Sequence, residues 1–253
     1  MAPPRVDVLG VGISAVNPAT ALAEITRRVE TGERGYVCVT GVHGVMESQR
    51  DTALRRIHNA SGLTVPDGMP MVWAGRRAGA PGMSRVPGPA LMLDVLARAA
   101  ERGWSSYLYG AGPGVPELLA ERLRDRLPGL RIAGTHSPPF RQLTPEEDAE
   151  AVRRINDSGA DLVWVGLSTP KQEHWMAAHR PLLTAPVLLG VGAAFDLHAG
   201  LQRPAPVWMQ QRGLEWSYRL PREPRRLWRR YLRNNPAYLA RIALRPPRMR
   251  GTD

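Results

Sequence analysis

A chain of 253 residues, 43% hydrophobic and 23% charged, is long enough for one large α/β domain, alone or with an appendage. Its single cysteine, Cys38, excludes an internal disulfide framework, and the lack of any 18-residue apolar run argues against a spanning helix. The start MAPPRVDVLGVG has no basic segment leading into a long apolar core and cleavage site, which argues against export. Net charge is +11, and its distribution is uneven: Arg212 to Arg250 carries twelve arginines against Glu215 and Glu223, or +10 in 39 residues. A nearly neutral body therefore carries a basic tail, suited to nucleic acid, anionic lipid or an acidic partner. Only one lysine, Lys171, stands against 33 arginines.

Val6 to Ile13, apolar with glycines, predicts a first strand, and Pro18 to Glu30 a helix by its apolar spacing. Tyr36 to Thr40 reads as a second strand enclosing a buried Cys38. A helical pattern lies within Gly41 to His58. Leu63 to Pro66 predicts a strand running into a turn at Asp67-Gly68, which prolines flank. Asp67 is there either a plain turn aspartate or a carboxylate held by stiff flanks, as a general base requires. Arg76 to Pro89, rich in Gly, Pro and Arg, predicts a loop with Arg85 near its end, followed by a helix from Ala90 to Glu101.

Ser106 to Gly110 predicts a strand. Gly110-Ala-Gly-Pro-Gly114 is a glycine-rich turn into a helix from Val115 to Leu127, and such turns can cradle phosphate. After a short strand at Leu130 to Gly134, His136 reads as structural or solvent-facing before catalytic. Thr144-Pro-Glu-Glu147 is a capped helix start. Leu162 to Leu167 and Val187 to Val191 read as buried parallel strands. Between them Pro170 opens a helix that puts Lys171, Gln172 and Glu173 in its first turn, where open α/β sheets place ligands. Alternating strands and helices predict a Rossmann-like α/β fold with a largely parallel sheet flanked by helices.

Beyond Gly200 the pattern changes. A helix is predicted from Val207 to Tyr218, a second from Arg225 to Asn234, and a third segment from Ala237 after a break at Pro236. Arginines flank Leu227, Trp228, Tyr231 and Leu232, as in an interfacial element. The division expected is 1–205 for the body and 206–253 for a basic, helical, membrane-associating appendage. The dinucleotide GxGxxG pattern, a P-loop, zinc spacing, a nucleophile elbow and the aspartate pairs of metal-dependent sugar transferases are all absent. Their absence favours chemistry without a covalent intermediate, bound metal or cofactor.

Five blocks carry a family resemblance: Val39-Thr-Gly-Val-His-Gly-Val-Met-Glu47, Val65-Pro-Asp-Gly68, Arg85-Val-Pro-Gly88, Gly166-Leu-Ser-Thr-Pro-Lys-Gln-Glu-His-Trp175 and Gly190-Val-Gly-Ala-Ala-Phe-Asp-Leu-His-Ala-Gly200. Arg203-Pro-Ala-Pro206 and Gly213-Leu-Glu-Trp-Ser-Tyr-Arg-Leu-Pro-Arg-Glu-Pro-Arg-Arg226 extend it. Over residues 6 to 235 the chain resembles the WecG/TagA/CpsF family of bacterial glycosyltransferases. The resemblance implies inverting, metal-independent transfer of a hexosyl or N-acetylhexosaminyl group. The donor would be a UDP-sugar and the acceptor a polyprenyl-diphosphate-linked saccharide, in cell-surface polysaccharide or teichoic-acid synthesis. It implies Asp67 as general base, Thr40 near the acceptor and Arg85 beside the site. Gln172, with Lys171, Glu173, Gly110 and Gly112, would hold the donor. It further implies an appendage docked on the anionic inner face of the cell membrane, its Arg219, Arg222, Arg225 and Arg226 reaching the site, and it is compatible with a homo-oligomer.

Two departures stand out. Gly41 occupies a position near the threonine where the family often has Asn, and Ala90 one where it often has Asp. Both point to the acceptor side. The competing expectation is a noncatalytic membrane-surface or nucleic-acid-binding protein using the arginine tail. Aromatic residues do not interleave on a β platform as a nucleic-acid partner requires.

Overall fold

A computed structural model describes residues 2–251, apart from the side chain of Arg226. The chain opens with β1 (Arg5–Val8), β2 (Val11–Ser14) and α1 (Pro18–Thr31). It continues through β3 (Gly35–Thr40), α2 (Val42–Glu47), α3 (Thr52–Ala60), β4 (Leu63–Pro66) and α4 (Met69–Arg77). Next come α5 (Gly88–Arg102), β5 (Ser105–Gly110), α6 (Val115–Arg126), β6 (Arg131–His136) and α7 (Pro145–Asp157). Then follow β7 (Leu162–Gly166), α8 (Lys171–His179), β8 (Val187–Gly190) and α9 (Ala194–His198). The tail contributes α10 (Val207–Gln211), α11 (Glu215–Arg219), α12 (Pro224–Leu244) and β9 (Arg248–Met249).

Six strands form one sheet in the order β4-β3-β8-β7-β5-β6. The pairs β3·β8, β8·β7, β7·β5 and β5·β6 are all parallel, giving the predicted α/β architecture. The chain divides into two compact units. Unit 1 takes in the residues up to Ala19, Val39–Pro87, and the tail from Arg203 onward; unit 2 takes in Thr20–Cys38 and Gly88–Gln202.

Unit 1 is built on a sheet that the sequence did not announce. The apolar run Val6 to Ile13, expected as one strand, is an antiparallel hairpin, with Val6 opposite Ile13 and Val8 opposite Val11. Leu9 and Gly10 both take positive φ, 56° and 87°, the geometry of the tightest two-residue hairpin turn. The Gly10 N–H donates to Asp7 Oδ1 at 2.8 Å. The third strand is β9, antiparallel to β1. Val6, Val8 and Ile13 pack with Met46 of α2, Met71 of α4 and Tyr238 of α12, so the tail is part of this unit's core. Two further expectations are corrected there. The helix expected from Val207 to Tyr218 is two short ones, parted at Gly213 (φ 72°). Conversely, α12 runs through Pro236: the Leu232 position, whose carbonyl loses its partner, is exposed, so water can satisfy it. The segment after Asp67-Gly68 is also helical, as α4.

In unit 2, Leu162–Val165 and Val187–Leu189 are wholly buried, as expected of parallel strands covered on both faces. The helix α7 begins with the predicted capping box: Thr144 Oγ1 accepts the Glu147 N–H, and the Glu147 carboxylate accepts the Thr144 N–H at 2.9 Å. After β6 the chain crosses back over β5 to form β7, creating a topological switch between β5 and β7. The carboxyl ends of strands at such a switch are where open α/β sheets bind ligands.

Candidate active site

In unit 1, β3 and β4 end at Thr40 and Pro66, so Thr40 and Asp67 leave the sheet together. The Asp67 N–H donates to the Thr40 carbonyl at 3.0 Å. Arg85 Nε donates to the Asp67 carbonyl. Asp67, half-buried, is thus held through both of its backbone polar groups in a pinned turn. Behind it, Thr40 is 2% exposed and its Oγ1 lies 3.3 Å from Nδ1 of the fully buried His58. Gly44 of α2 presses on both: a Cβ there would come within 3.0 Å of Thr40 Cγ2 and 3.6 Å of His58 Nε2.

Arg85 does not aim its whole fork at Asp67. Its Nη1 donates to Gln210 Oε1 at 3.2 Å, and its Nη2 forms an ion pair with Glu215. One guanidinium therefore fastens the Asp67 turn to the tail, using the planar donor geometry that lysine lacks. Arg219 lies 3.5 Å from Glu223 Oε1. The guanidinium of Arg222 stacks 3.6 Å over the Tyr218 ring, and its Nη1 donates to the Tyr218 carbonyl. Arg225 is exposed, and the Arg226 side chain lies outside the described residues. Burial pushes the Tyr231 hydroxyl's pKa upward against the pull of Arg219 and Arg230. At Gly41 there is room: an added Cβ would meet nothing nearer than Gly68 N at 3.9 Å.

In unit 2 the glycine-rich turn lies at the switch. Gly110 and Gly166 are register partners. Gly110 has φ 127°, and a Cβ there would fall 2.7 Å from the Gly166 carbonyl carbon; no side chain fits. The Ala111 N–H donates to the Gly166 carbonyl at 2.9 Å, and Ser137 Oγ to the Ala111 carbonyl at 2.9 Å. Gly112 lies under the ring of Phe140, which is 84% exposed. Gly114, in the left-handed region, precedes α6 without a side-chain cap; the Val115 N–H donates to the Gly112 carbonyl at 3.1 Å and Pro116 has no N–H to offer.

The first turn of α8 does not present its three predicted residues alike. Lys171 is exposed. Gln172 is 3% exposed, fitted beside Gly190 and Gly192, and its Oε1 has no hydrogen-bond partner among the described residues. Glu173 is wholly buried, its Oε1 accepting from Thr169 Oγ1 at 2.8 Å and from Gln172 Nε2 at 3.2 Å. Desolvation raises its pKa, outweighing those hydrogen bonds. Its Oε2 is buried with no hydrogen-bond partner among the described residues. Tyr109, Trp175 and His179 form an aromatic column, with centroids 4.4 and 4.2 Å apart. His179 Nε2 lies 2.9 Å from Asp148 Oδ1, and burial raises the Tyr109 hydroxyl's pKa beyond its usual range. His136 stacks on Tyr109, and burial lowers its pKa.

Thr40, Asp67 and Arg85 are brought together in unit 1, and Gly110, Gly112 and Gln172 stand at the sheet end of unit 2. His58, Gln210, Glu215 and Tyr109 find their partners far along the chain, so no local pattern marks them. Among the described residues no group of three His, Cys, Asp or Glu side chains gathers as a metal site would require. No described helix is long and apolar enough to cross a membrane.

A parallel α/β sheet whose strand order switches between β5 and β7 is the architecture of ligand-binding α/β enzymes. Residues 6–251 match the family described as glycosyl transferase WecG/TagA/CpsF; the chain belongs to that family and is a glycosyltransferase. It is similar to the N-acetylglucosaminyldiphosphoundecaprenol N-acetyl-beta-D-mannosaminyltransferase of Bacillus spizizenii W23, with 30% identity over 78% of this chain and 74% of that protein. The protein of the same name from Staphylococcus aureus MW2 is 27% identical over 94% of this chain and 92% of its own length.

Proposed function

We propose that the protein transfers an N-acetylhexosaminyl group, N-acetylmannosamine first among candidates, from a UDP-linked donor to a polyprenyl-diphosphate-linked N-acetylglucosamine. The reaction belongs to teichoic-acid or related surface-polymer synthesis. The anomeric centre inverts in a single displacement, without a metal. As the acceptor oxygen bonds to C1 of the donor sugar, the bond from C1 to the diphosphate oxygen breaks. Asp67 takes the acceptor hydroxyl's proton. UDP leaves with its charge met by arginines and helix N-termini. Gly110, Gly112 and Gln172 hold the donor, with Lys171 offering a flexible cation. The tail, from Val207 onward, rests on the inner face of the cell membrane, where a lipid-borne acceptor is found.

The observation that carries this reading is the double backbone anchor of Asp67, to the Thr40 carbonyl and to Arg85. It fixes the backbone from which one carboxylate leaves a strand end, and a general base needs such a fixed mount. The test offers the full chain a panel of UDP- and GDP-sugars with prenyl-diphosphate N-acetylglucosamine, with and without EDTA. Transfer from a UDP-N-acetylhexosamine, unchanged by EDTA and giving a product of inverted configuration, is expected. Loss of transfer in EDTA, restored by a divalent cation, overturns the metal-free mechanism. Transfer only from GDP-sugars overturns the donor.

A further inference from the structure

We propose that the outer face of α4, centred on Trp73, receives the first isoprene units of the lipid-linked acceptor. This rests on the acceptor class given under Proposed function. Trp73 is 52% exposed, while Met71, Val72, Ala74 and Gly75 of the same helix are packed inward. The indole is therefore not committed to the core of unit 1. Met69 and Trp73 lie one helical turn apart and share a face. Across that face runs the turn between α10 and α11. A Cβ at Gly213 would come within 3.3 Å of both Met69 Cβ and Trp73 Cη2. The tail is held against α4 by a residue with no side chain, which leaves the rest of the indole uncovered.

The same turn links this apolar platform to the reacting end of the molecule. Two residues after Gly213, Glu215 pairs with Arg85, and Arg85 holds the Asp67 carbonyl. Trp73 is also joined to Asp67 directly, since α4 begins just beyond Gly68; Met69 to Trp73 rises about 6 Å along the axis. In the acceptor, one hexose and one diphosphate separate the attacking hydroxyl from the first isoprene carbon, a span of the same order. Exposed Leu214 and the cations Arg212, Arg219 and Arg222 lie on this stretch of tail. An apolar indole packed against an arginine-bearing stretch of tail matches an amphiphile whose chain starts at a diphosphate. Bulk membrane does not need such a platform beside the Asp67 turn; the substrate's own chain does.

The experiment compares wild type, Trp73→Ala and Trp73→Phe on water-soluble acceptors carrying one diphosphate-sugar head and a methyl, geranyl or farnesyl tail, and on the same head in phosphatidylglycerol vesicles. Wild type is expected to prefer the prenyl tails over methyl. Trp73→Ala should lower kcat/KM on geranyl and farnesyl acceptors about 10- to 50-fold, the range one apolar contact commands. On the methyl acceptor it should match wild type, and Trp73→Phe should recover most of the loss. An equal loss on every tail, no loss on the soluble prenyl acceptors, or a loss confined to vesicles would each overturn the proposal. No transfer by wild type to any acceptor would instead strike the acceptor reading itself.

Discussion

The two units meet the same demand, holding a polar group in one orientation, by opposite means. Unit 1 uses side chains that reach far along the sequence: Arg85 spans 125 residues to Gln210 and 130 to Glu215. Unit 2 uses backbone and close fit: Gly110 against Gly166, and Gln172 beside Gly190 and Gly192. Each arrangement fails in its own way. A charged fork tolerates loss of one arm but fails if its planar geometry is lost. A close-packed glycine turn has no intermediate state, because any Cβ collides with backbone.

The comparison is broken hardest by Asp67→Asn. It keeps the backbone anchors and removes only the proton acceptor, so turnover should drop roughly 10²- to 10⁴-fold while donor affinity by calorimetry stays near wild type. Unchanged turnover removes Asp67 from the base's role. In unit 2 the matching blow is Gly110→Ala, expected to destabilise the fold by about 2–3 kcal/mol in urea titrations through strained φ and collision with Gly166. An unaltered midpoint would mean that the β5 turn yields where its geometry says it cannot.

Arg85→Lys asks whether the fork matters more than the charge. Transfer should fall about 10- to 100-fold as the Asp67 turn loosens, with donor affinity preserved. A lysine variant with full activity would reduce Arg85 to a point charge. The smallest effect concerns Glu173. Folding raises its pKa by burial, so the native state holds this proton more tightly than the unfolded chain does. Its stability contribution is full below 4.5, the ordinary glutamate value, and is lost as pH rises above it. Glu173→Gln lacks that slope, so its Tm should gain on wild type as pH rises from weakly acidic to neutral. A constant difference would show that the carboxyl does not titrate within that range.

Truncating the tail is a blunter test than its basic composition suggested. Leu227 and Tyr238 are buried, and Arg250 Nη2 donates to the Gly10 carbonyl at 3.0 Å and to Asn59 Oδ1 at 3.1 Å. Deletion beyond Gly213 strips core from unit 1, so any change in liposome binding would be mixed with partial unfolding. Point changes at exposed Arg225 or Trp228 separate the two effects.

Much of this was legible in the sequence where local chemistry decides. Apolar runs at Leu162 and Val187 became buried parallel strands, and Thr144-Pro-Glu-Glu147 became a capping box. Asp67 was legible as a stiffly flanked carboxylate but not as an anchored one, because its partner Arg85 bonds its backbone. The hairpin was hidden because Leu9 carries no turn signal despite its positive φ. Pro236 misled because a break is avoided when the freed carbonyl faces water. The Tyr109–Trp175 stack and the Arg85–Glu215 pair join residues far apart in the chain that nothing in their own neighbourhoods marks. Glu173 lay in the right helix turn but pointed inward, a matter of helix phase that its polar identity concealed.

The pairing of β9 with β1 has a consequence for synthesis. The hairpin is translated before the body and its third strand after it, so the small sheet stays open while more than two hundred intervening residues are made. Unit 2, whose strands lie within a continuous middle stretch apart from β3, can close earlier. A ribosome stalled before Arg248 should therefore display a protease-resistant unit 2 and a cleavable hairpin, and β1 would gain its outer partner only once β9 has been made.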